Sequence, residues 1–394
     1  MVLANAGEKL ETDLDGQPLV EADLRHIIGS TYHQLGLHEQ AETHILEAVN
    51  IRRAELGLDH EDTLAAVMDK ANLAMDRGQF EDAASDYRQI LAIRQITLGT
   101  EHPDTLQTQA NLGELLRRTG KIEEAQSLVQ ETMDAYRRVK GDDHPNTLNT
   151  IDNMGILMAM QGRYDDAETF FNESLQIRLD TMGEDHPSTM NSMGNMATLY
   201  WSQGKNEQAH EQYTRVLAIR CRVMGEEHPG TLSVMGNLAG LLQDMGRLKE
   251  SKELHQKSMG IKQRVLGDTH PSTIREYIGL GALCLEQSQL EDAEQWFRRA
   301  WTARVEVLGD QHPDTLSAKA RVGMVLRDRA QFEASEVILS DVYQVSCDKH
   351  GTDSPDAKLV LEELVLLYEQ WNRPAELDRC RALLTAANDV AVAQ

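Results

Sequence analysis

Apolar residues recur along this chain with the spacing of paired amphipathic helices. Between Asp104 and Gly141 one apolar stripe ends before Gly120 and a second begins just after it. The first stripe is Leu106, Ala110, Leu112, Leu115 and Leu116, and the second is Ile122, Ala125, Val129, Met133 and Tyr136. Roughly helical spacing on both sides of a glycine, which can end a helix in the left-handed conformation, predicts a helical hairpin.

The hairpin pattern returns every 42 residues along nearly the whole chain. The columns that mark it include the histidines His60, His102, His144, His186, His228, His270 and His312, all but the first followed by proline. Two glycine series, a threonine series and an alanine series keep the same step. Several independent columns in phase indicate a tandem repeat, in which each hairpin buries its apolar stripe against its neighbours.

The period predicts an all-α fold with three segments. Residues 18–355 hold eight full repeats that begin near Val20, Asp62, Asp104, Asn146, Ser188, Gly230, Ser272 and Asp314. Residues 356–394 form a degenerate ninth repeat and a C-terminal capping helix, and its second helix, from Pro374, is expected to be short. Residues 1–17 lack the repeat and are expected to be a flexible segment.

The loop between repeats, Gly-x-x-His-Pro, has a structural explanation. Proline blocks continuation of the previous helix. The next residue belongs to the types that cap helix N-termini, so we predict a cap there: Asp62, Asp104, Asn146, Ser188, Gly230, Ser272, Asp314 and Asp356. Equivalent histidines of stacked repeats are expected about 10 Å apart, whereas zinc ligands lie about 2 Å from the metal. The histidines are therefore predicted to be hydrogen-bonded loop residues, and no metal is expected.

Composition narrows the function classes. The formal charge of -25 disfavours nucleic acid and anionic membranes as partners and favours basic or neutral proteins. No signal peptide or membrane-spanning run is apparent, and the four cysteines are scattered, so a cytoplasmic location is expected. Metal, phosphate-loop, dinucleotide and nucleophile-elbow motifs are absent from the sequence, which predicts neither an enzyme nor a cofactor.

The repeated pattern LGxxHPDTL…NLG…G.[YF].[ED]A…L.IR resembles the tetratricopeptide repeats of the kinesin light chain type. Residues 98–120 and 162–190 carry it most clearly, and it covers about residues 20–372. The resemblance implies a right-handed superhelical solenoid of helix-turn-helix repeats. It also implies a concave groove, lined by the first helices, that binds extended peptides of partner proteins. No heptad coiled coil precedes the repeats, so the resemblance does not extend to the motor-binding segment.

One column of the first helices is expected to face the groove in repeats of this type. It reads Ile27, Asp69, Asn111, Asn153, Asn195, Asn237, Gly279 and Arg321. Asparagine is disfavoured inside helices, and its side-chain amide both donates and accepts hydrogen bonds. Four consecutive asparagines could therefore hold the backbone of an extended peptide. The alternative is that they bond to neighbouring backbone and stabilise the stack.

Further positions in the same register are also expected to face the groove: Asn149, Asp152, Asn191, Thr198, Trp201, Gln243 and Arg275. Trp201 is either an aromatic anchor for a partner or a partly buried core residue. Arg117 and Arg321 are either anchors for an acidic peptide or solvated charges.

These observations predict a protein-interaction scaffold or adaptor that binds peptide segments of partner proteins. The alternative is a regulatory or sensor array of a signalling protein that self-associates or controls an effector.

Overall fold

The computed structural model describes Leu14 and residues 16–393, which are 83% helical. These residues form 18 helices and no β-strand, which confirms the all-α class. The chain divides into two compact units, one ending at Val223 and the other starting at Met224. The expected flexible segment 1–17 lies almost wholly outside the described residues.

The helices alternate as first and second helices of successive hairpins. The first unit contains α1 Pro18–Gln34, α2 His38–Leu56, α3 Glu61–Asp76, α4 Phe80–Thr97, α5 Pro103–Arg118, α6 Ile122–Lys140, α7 Pro145–Met160, α8 Tyr164–Met182 and α9 Pro187–Ser202, and α10 Asn206–Met224 ends it. The second contains α11 Pro229–Asp244, α12 Leu248–Leu266, α13 Pro271–Glu286, α14 Leu290–Leu308, α15 Pro313–Asp328, α16 Phe332–His350, α17 Pro355–Gln370 and α18 Pro374–Ala393. The last helix has 20 residues, so the expectation that it is short was wrong.

Each unit is a stack of hairpins, as expected for a solenoid. Helices adjacent in sequence pack against each other, for example α7 on α8 and α8 on α9. First helices of adjacent repeats also touch, as α5 and α7 do in the first unit and α15 and α17 in the second. The first helices of each unit therefore share one face.

Small residues in the first helices allow the two helices of a hairpin to approach closely. A Cβ atom added to Gly155 would lie 2.7 Å from the Phe171 ring, and one added to Gly113 would lie 2.9 Å from the Val129 side chain. Phe171 and Val129 are both buried. The space beside each glycine is therefore filled by a side chain of the second helix of the same hairpin.

The repeated histidines cap the first helices. In all seven, from His60 to His312, the ring Nδ1 accepts a hydrogen bond from the backbone N–H two residues on, at 3.0–3.3 Å. The predicted role in the loop is thus correct, but the cap was placed two residues too late. The proline occupies the first helical position, where its fixed φ fits and its missing N–H is not needed. Asp104 and its equivalents lie in the first turn.

A threonine in the first turn of these helices makes a second hydrogen bond across the loop. The hydroxyl of Thr105 donates to the carbonyl of Gly99 at 2.8 Å, and Thr147 does the same to Gly141 at 2.7 Å. The preceding helix end and the next helix start are thus joined by a side chain.

The first helices end as predicted at a left-handed residue. Gly120 has φ +74°, and the N–H of Lys121 bonds back to the carbonyl of Leu116 at 2.9 Å, as in a Schellman motif. In the last three repeats the same position is Ser288, Ala330 or Asn372, with φ between 55° and 59°. A side chain with a Cβ at this conformation strains the backbone.

Replacing Ala330 by glycine should therefore stabilise the protein. We expect Ala330→Gly to raise the free energy of unfolding by about 0.5–1 kcal/mol, because relief of strain outweighs the added entropy of the unfolded chain. Urea denaturation followed by circular dichroism measures the change. Gly120→Ala is the matched control and should have the opposite sign; a loss of stability in Ala330→Gly would contradict the strain.

The histidine caps should make stability depend on pH. Burial, and then the charge of Lys262, lowers the pKa of His270 below its usual 6.5. The unfolded state therefore takes up a proton first as the pH falls, so the stability contributed by His270 is present above pH 6.5 and lost below it. We expect His270→Asn, which keeps a capping side chain, to flatten the fall in unfolding free energy between about pH 7 and 5. An unchanged slope would be evidence against this role.

Candidate functional site

In the first unit the asparagine column lies on first helices that share one face. Asn111, Asn153 and Asn195 belong to α5, α7 and α9 of the first unit, and Asn237 belongs to α11 of the second. All four are half-buried. Their side chains are thus held by the stack while part of each remains open to solvent.

Three of these four amides have no hydrogen-bond partner among the described residues. Among the described contacts, no hydrogen bond engages the side chains of Asn153, Asn195 or Asn237. Asn111 differs, because its Oδ1 accepts from Gln107 at 2.9 Å and its Nδ2 lies 3.5 Å from the sulfur of Met68. The alternative that the asparagines stabilise the stack by bonding to backbone therefore has no support in the described contacts of these three. Unpaired donors and acceptors on a half-open surface are suited to a ligand.

The asparagine column gives way to other residue types at both ends, and the contacts there explain why. Asp69 accepts from His26 at 2.8 Å and from Ser30 at 2.6 Å. Burial works to raise the pKa of Asp69, but these hydrogen bonds and the charge of His26 outweigh it and lower that pKa. At the other end, a Cβ added to Gly279 would lie 2.6 Å from the His255 ring. An asparagine cannot fit there, so the run ends at Asn237.

Two predicted groove residues have structural partners. The Oδ1 of Asn149 accepts from Arg178 at 2.8 Å, and that of Asn191 accepts from Arg220 at 2.5 Å. Both asparagines are exposed, whereas both arginines are buried. These residues therefore help to hold arginines of the second helices in place.

The remaining uncharged candidates differ in environment. Trp201 is half-buried with its ring edge-on to Tyr213, at a centroid distance of 6.5 Å. Thr198 is exposed and shares a 2.7 Å hydrogen bond with the Tyr213 hydroxyl. Gln243, in the second unit, is half-buried. Trp201 thus lies partly in the core and partly at the surface, and its role as an anchor for a partner stays a prediction.

The three arginines do not form one cluster. Arg117 is half-buried and pairs with Glu114 at 2.5 Å within its own helix. Arg275 is exposed, and Arg321 is half-buried with its guanidinium 5.7 Å from the centroid of Phe297. Burial lowers the pKa of Arg321. Only Arg275 is a plain surface charge.

Asp152 does not face the groove as the register predicted. It is 8% exposed, and its Oδ2 lies 2.7 Å from Arg178. Ser174 and Ser192 bond to the same guanidinium. Burial raises the pKa of Asp152, and the charge of Arg178 and hydrogen bonds of the two serines and Arg178 offset this only in part. The side chain points into the repeat interface because a buried cation lies there.

Arg178 belongs to a column of cations that recurs every 42 residues and that was not among the predicted site residues. The position holds Arg52, Arg94, Arg178, Arg220, Lys262 and Arg304, with Tyr136 and Ser346 as exceptions. The guanidinium of Arg94 donates to the carbonyl of Asp104 at 3.1 Å, and Arg52 donates to Asp62 at 2.9 Å. Arg304 makes the same bond to the carbonyl of Asp314, so these three arginines tie a second helix to the first turn of the next repeat. The signal was visible as the Ile-Arg pair that recurs with the period.

In the second unit this column anchors a buried ionic cluster. Lys262 and Ser258 both donate to Oε1 of Glu276, and the Nδ1 of His255 lies 2.5 Å from Oε2. Burial works to raise the pKa of Glu276, but the His255 hydrogen bond and the charge of Lys262 outweigh it and lower that pKa. His255 occupies the position that Phe171 and its counterparts fill elsewhere. The cluster therefore replaces part of the apolar core.

The described residues contain no metal-binding cluster and no membrane-spanning helix. No group of three or more histidine, cysteine or acidic side chains within that part of the chain is placed to hold a metal ion. None of the described helices is long and apolar enough to cross a membrane.

Comparison with known proteins places the chain in a class. A family model described as tetratricopeptide repeat matches residues 64–138, 109–180, 160–222 and 230–304, and a second with the same description matches residues 22–62. The chain belongs to the tetratricopeptide repeat family. Its 42-residue repeats are those of the kinesin light chain type. No curated protein is similar enough in sequence to count as a relative.

Solved structures are similar to this chain at low identity. Tetratricopeptide-like repeats of a putative kinesin light chain from Podosopora anserina are 25% identical, with a TM-score of 0.43, over 51% of this chain and 95% of that one. A Rap protein complexed with competence and sporulation factor is 9% identical, with a TM-score of 0.57, over 94% and 98%. A signal transduction ATPase with a tetratricopeptide repeat sensor, from Pyrococcus horikoshii, is 12% identical, with a TM-score of 0.55, over 93% and 54%.

Buried Arg178 should be essential to the stability of the repeat interface in which it pairs with Asp152. We expect Arg178→Met to lower the free energy of unfolding by about 3–5 kcal/mol at neutral pH, because it leaves the Asp152 carboxylate buried without its cation. The loss should shrink as the pH falls towards the raised pKa of Asp152. Denaturation of Asp152→Ala/Arg178→Met is the control and should recover most of the stability. Equal losses in the single and double variants would exclude the charge as the cause.

Proposed function

We propose that the protein is an interaction scaffold or adaptor that binds extended peptide segments of partner proteins along its first helices. The proposal depends on one observation above all: the half-buried amides of Asn153, Asn195 and Asn237 have no described hydrogen-bond partner. An extended peptide presents one N–H and one C=O per residue, which an amide side chain can satisfy together. Binding through the backbone tolerates varied partner sequences.

The family supports this proposal in general terms. Tetratricopeptide repeats generally bind protein partners and are generally not enzymes. We therefore propose neither catalysis nor a cofactor for this chain. The formal charge of -25 favours partners whose segments are neutral or basic. A cytoplasmic location stays a prediction. All four cysteines lie within the described residues, and none of them forms a disulfide there.

The sensor alternative has weaker support. The Rap protein and the sensor-bearing ATPase match more than nine-tenths of this chain, but at 9% and 12% identity they share only the fold. We infer no effector domain from them.

A peptide-display experiment tests the proposal. Random linear peptides are selected on the immobilised full chain, and the affinity of the selected peptides is measured by fluorescence anisotropy. We expect Asn153→Ala/Asn195→Ala/Asn237→Ala to bind them at least about tenfold more weakly, since each lost hydrogen bond is worth about 0.5–1.5 kcal/mol.

The matched control replaces asparagines elsewhere on the surface. Asn50 and Asn172 are exposed residues of the second helices α2 and α8, and Asn50→Ala/Asn172→Ala should bind like the wild type. Selection of no peptide by the wild type, or unchanged binding by a folded triple variant, would falsify the proposed groove.

A further inference from the structure

The buried cation column has a gap in the eighth repeat. Ser346 of α16 stands where Arg304 stands one repeat earlier, and it is 1% exposed. The guanidinium of Arg304 donates to the carbonyl of Asp314 in the first turn of α15. The residue equivalent to Asp314 in the next repeat is Asp356. At this interface the internal cation and its bond to the next helix are both missing.

A cavity lies where that side chain would be. It has a volume of about 270 Å³, and both Ser346 and Asp356 line it. Its walls come from α15 and α17 and its floor from α16. This volume is slightly below the range of about 300–1,000 Å³ found for small-molecule sites, which suits a single side chain.

The cavity opens on the face proposed to bind peptides. Leu359 lines it and has the same register as Asn149, and Glu363 has the register of Asn153. Leu359 is 58% exposed, so the rim is accessible. A segment lying along the first helices of this unit could insert a side chain here.

The lining suits a long side chain with a cationic end. Leu316, Ala320 and Val360 offer apolar surface for a methylene stem. The Ser346 hydroxyl, the Asp356 carbonyl and the Asp356 and Glu363 carboxylates offer acceptors. Glu363 already pairs with Arg327. Because Glu363 is occupied and lies about two turns of α17 from Asp356, the acceptors left for an entering cation are those of Ser346 and Asp356. A guanidinium carries enough N–H groups to donate to both residues at once.

Arg321 is the one cation among the residues that line the cavity. Its guanidinium lies away from Ser346 and leaves room for a second cation. The guanidinium of Arg321 lies 5.7 Å from the centroid of the Phe297 ring, and Phe297 belongs to α14, which contributes nothing to the lining. Arg321 therefore leans towards the preceding repeat, away from the floor that holds Ser346.

We infer that this cavity binds an arginine side chain of a partner polypeptide, which takes the place of the internal arginine absent at Ser346. The inference rests on the proposed function, in that the partner reaches the cavity as an extended segment. It adds a chemical preference that the asparagines do not provide.

The test compares two probe peptides on the full chain labelled with ¹³C at the methionine methyl groups. Met324 lines the cavity, and its resonance is assigned from Met324→Leu. The probes are acetyl-Gly-Ser-Arg-Ser-Gly-amide and the same peptide with citrulline, which keeps the shape of arginine but not its charge. We expect the arginine peptide to shift the Met324 resonance and to bind at least tenfold more tightly than the citrulline peptide.

Ser346→Arg should fill the cavity from within and abolish the shift, while the melting temperature does not fall. Ser127→Arg adds the same charge at an exposed site of a second helix and should leave binding unchanged. Should Ser346→Arg fail to fold, Leu359→Lys places a charge at the exposed rim and should weaken the arginine peptide selectively.

Three results overturn the inference: no shift of Met324 at millimolar peptide, equal binding of both peptides, or full binding by folded Ser346→Arg. Failure of the proposed groove has a different signature. In that case the triple asparagine variant binds the displayed peptides as the wild type does, whereas the arginine peptide still shifts the Met324 resonance of the wild type.

Discussion

The bond between each repeated histidine and the backbone two residues on sets the phase of the array. It fixes the start of a first helix at the residue after the histidine, which is proline in six of the seven cases. With that start fixed, every later side chain of the helix has a defined direction. The first turn then presents its carbonyl where the arginine of the preceding second helix can donate to it, as Arg94 does to Asp104. Helix start, repeat interface and exposed column thus follow from one contact.

The polar contents of the repeat interfaces vary more than their geometry. Around Arg178 an aspartate and two serines complete the network, whereas around Lys262 a glutamate and a histidine do so. A buried charge is tolerated only with compensating partners, so a change at one position requires changes at others. Gly279 illustrates this, because it gives room to the His255 ring and thereby ends the run of asparagines.

The sequence predicted the hairpins well because their signals are local. Gly120 ends a helix through its own φ, and the apolar stripes need only helical spacing. The cap was misplaced because asparagine, aspartate and serine after proline are common caps, and nothing in a single loop shows that the histidine ring reaches the backbone first. Asp152 was misassigned for a different reason. Its direction depends on Arg178, 26 residues away, and periodicity does not reveal such a pairing. The ability of the asparagine column to donate and accept hydrogen bonds follows from residue type. Only the structure, however, shows that three of these amides have no hydrogen-bond partner among the described residues.

Ser346 shows how a repeat array can gain a preference for one partner side chain when a small residue stands in place of a large internal one. The buried cations of the column, from Arg52 to Lys262, fill their interfaces from within, and Tyr136 fills one with an aromatic ring. With serine at this position, the interface holds a cavity that Ser346 and Asp356 of the next helix both line. No new loop, insertion or rearrangement is needed, because the neighbouring repeats retain the scaffold. Since the position recurs every 42 residues, truncation at another repeat would add a second recognition point one repeat further along. Partner choice in such proteins can therefore diversify one truncation at a time.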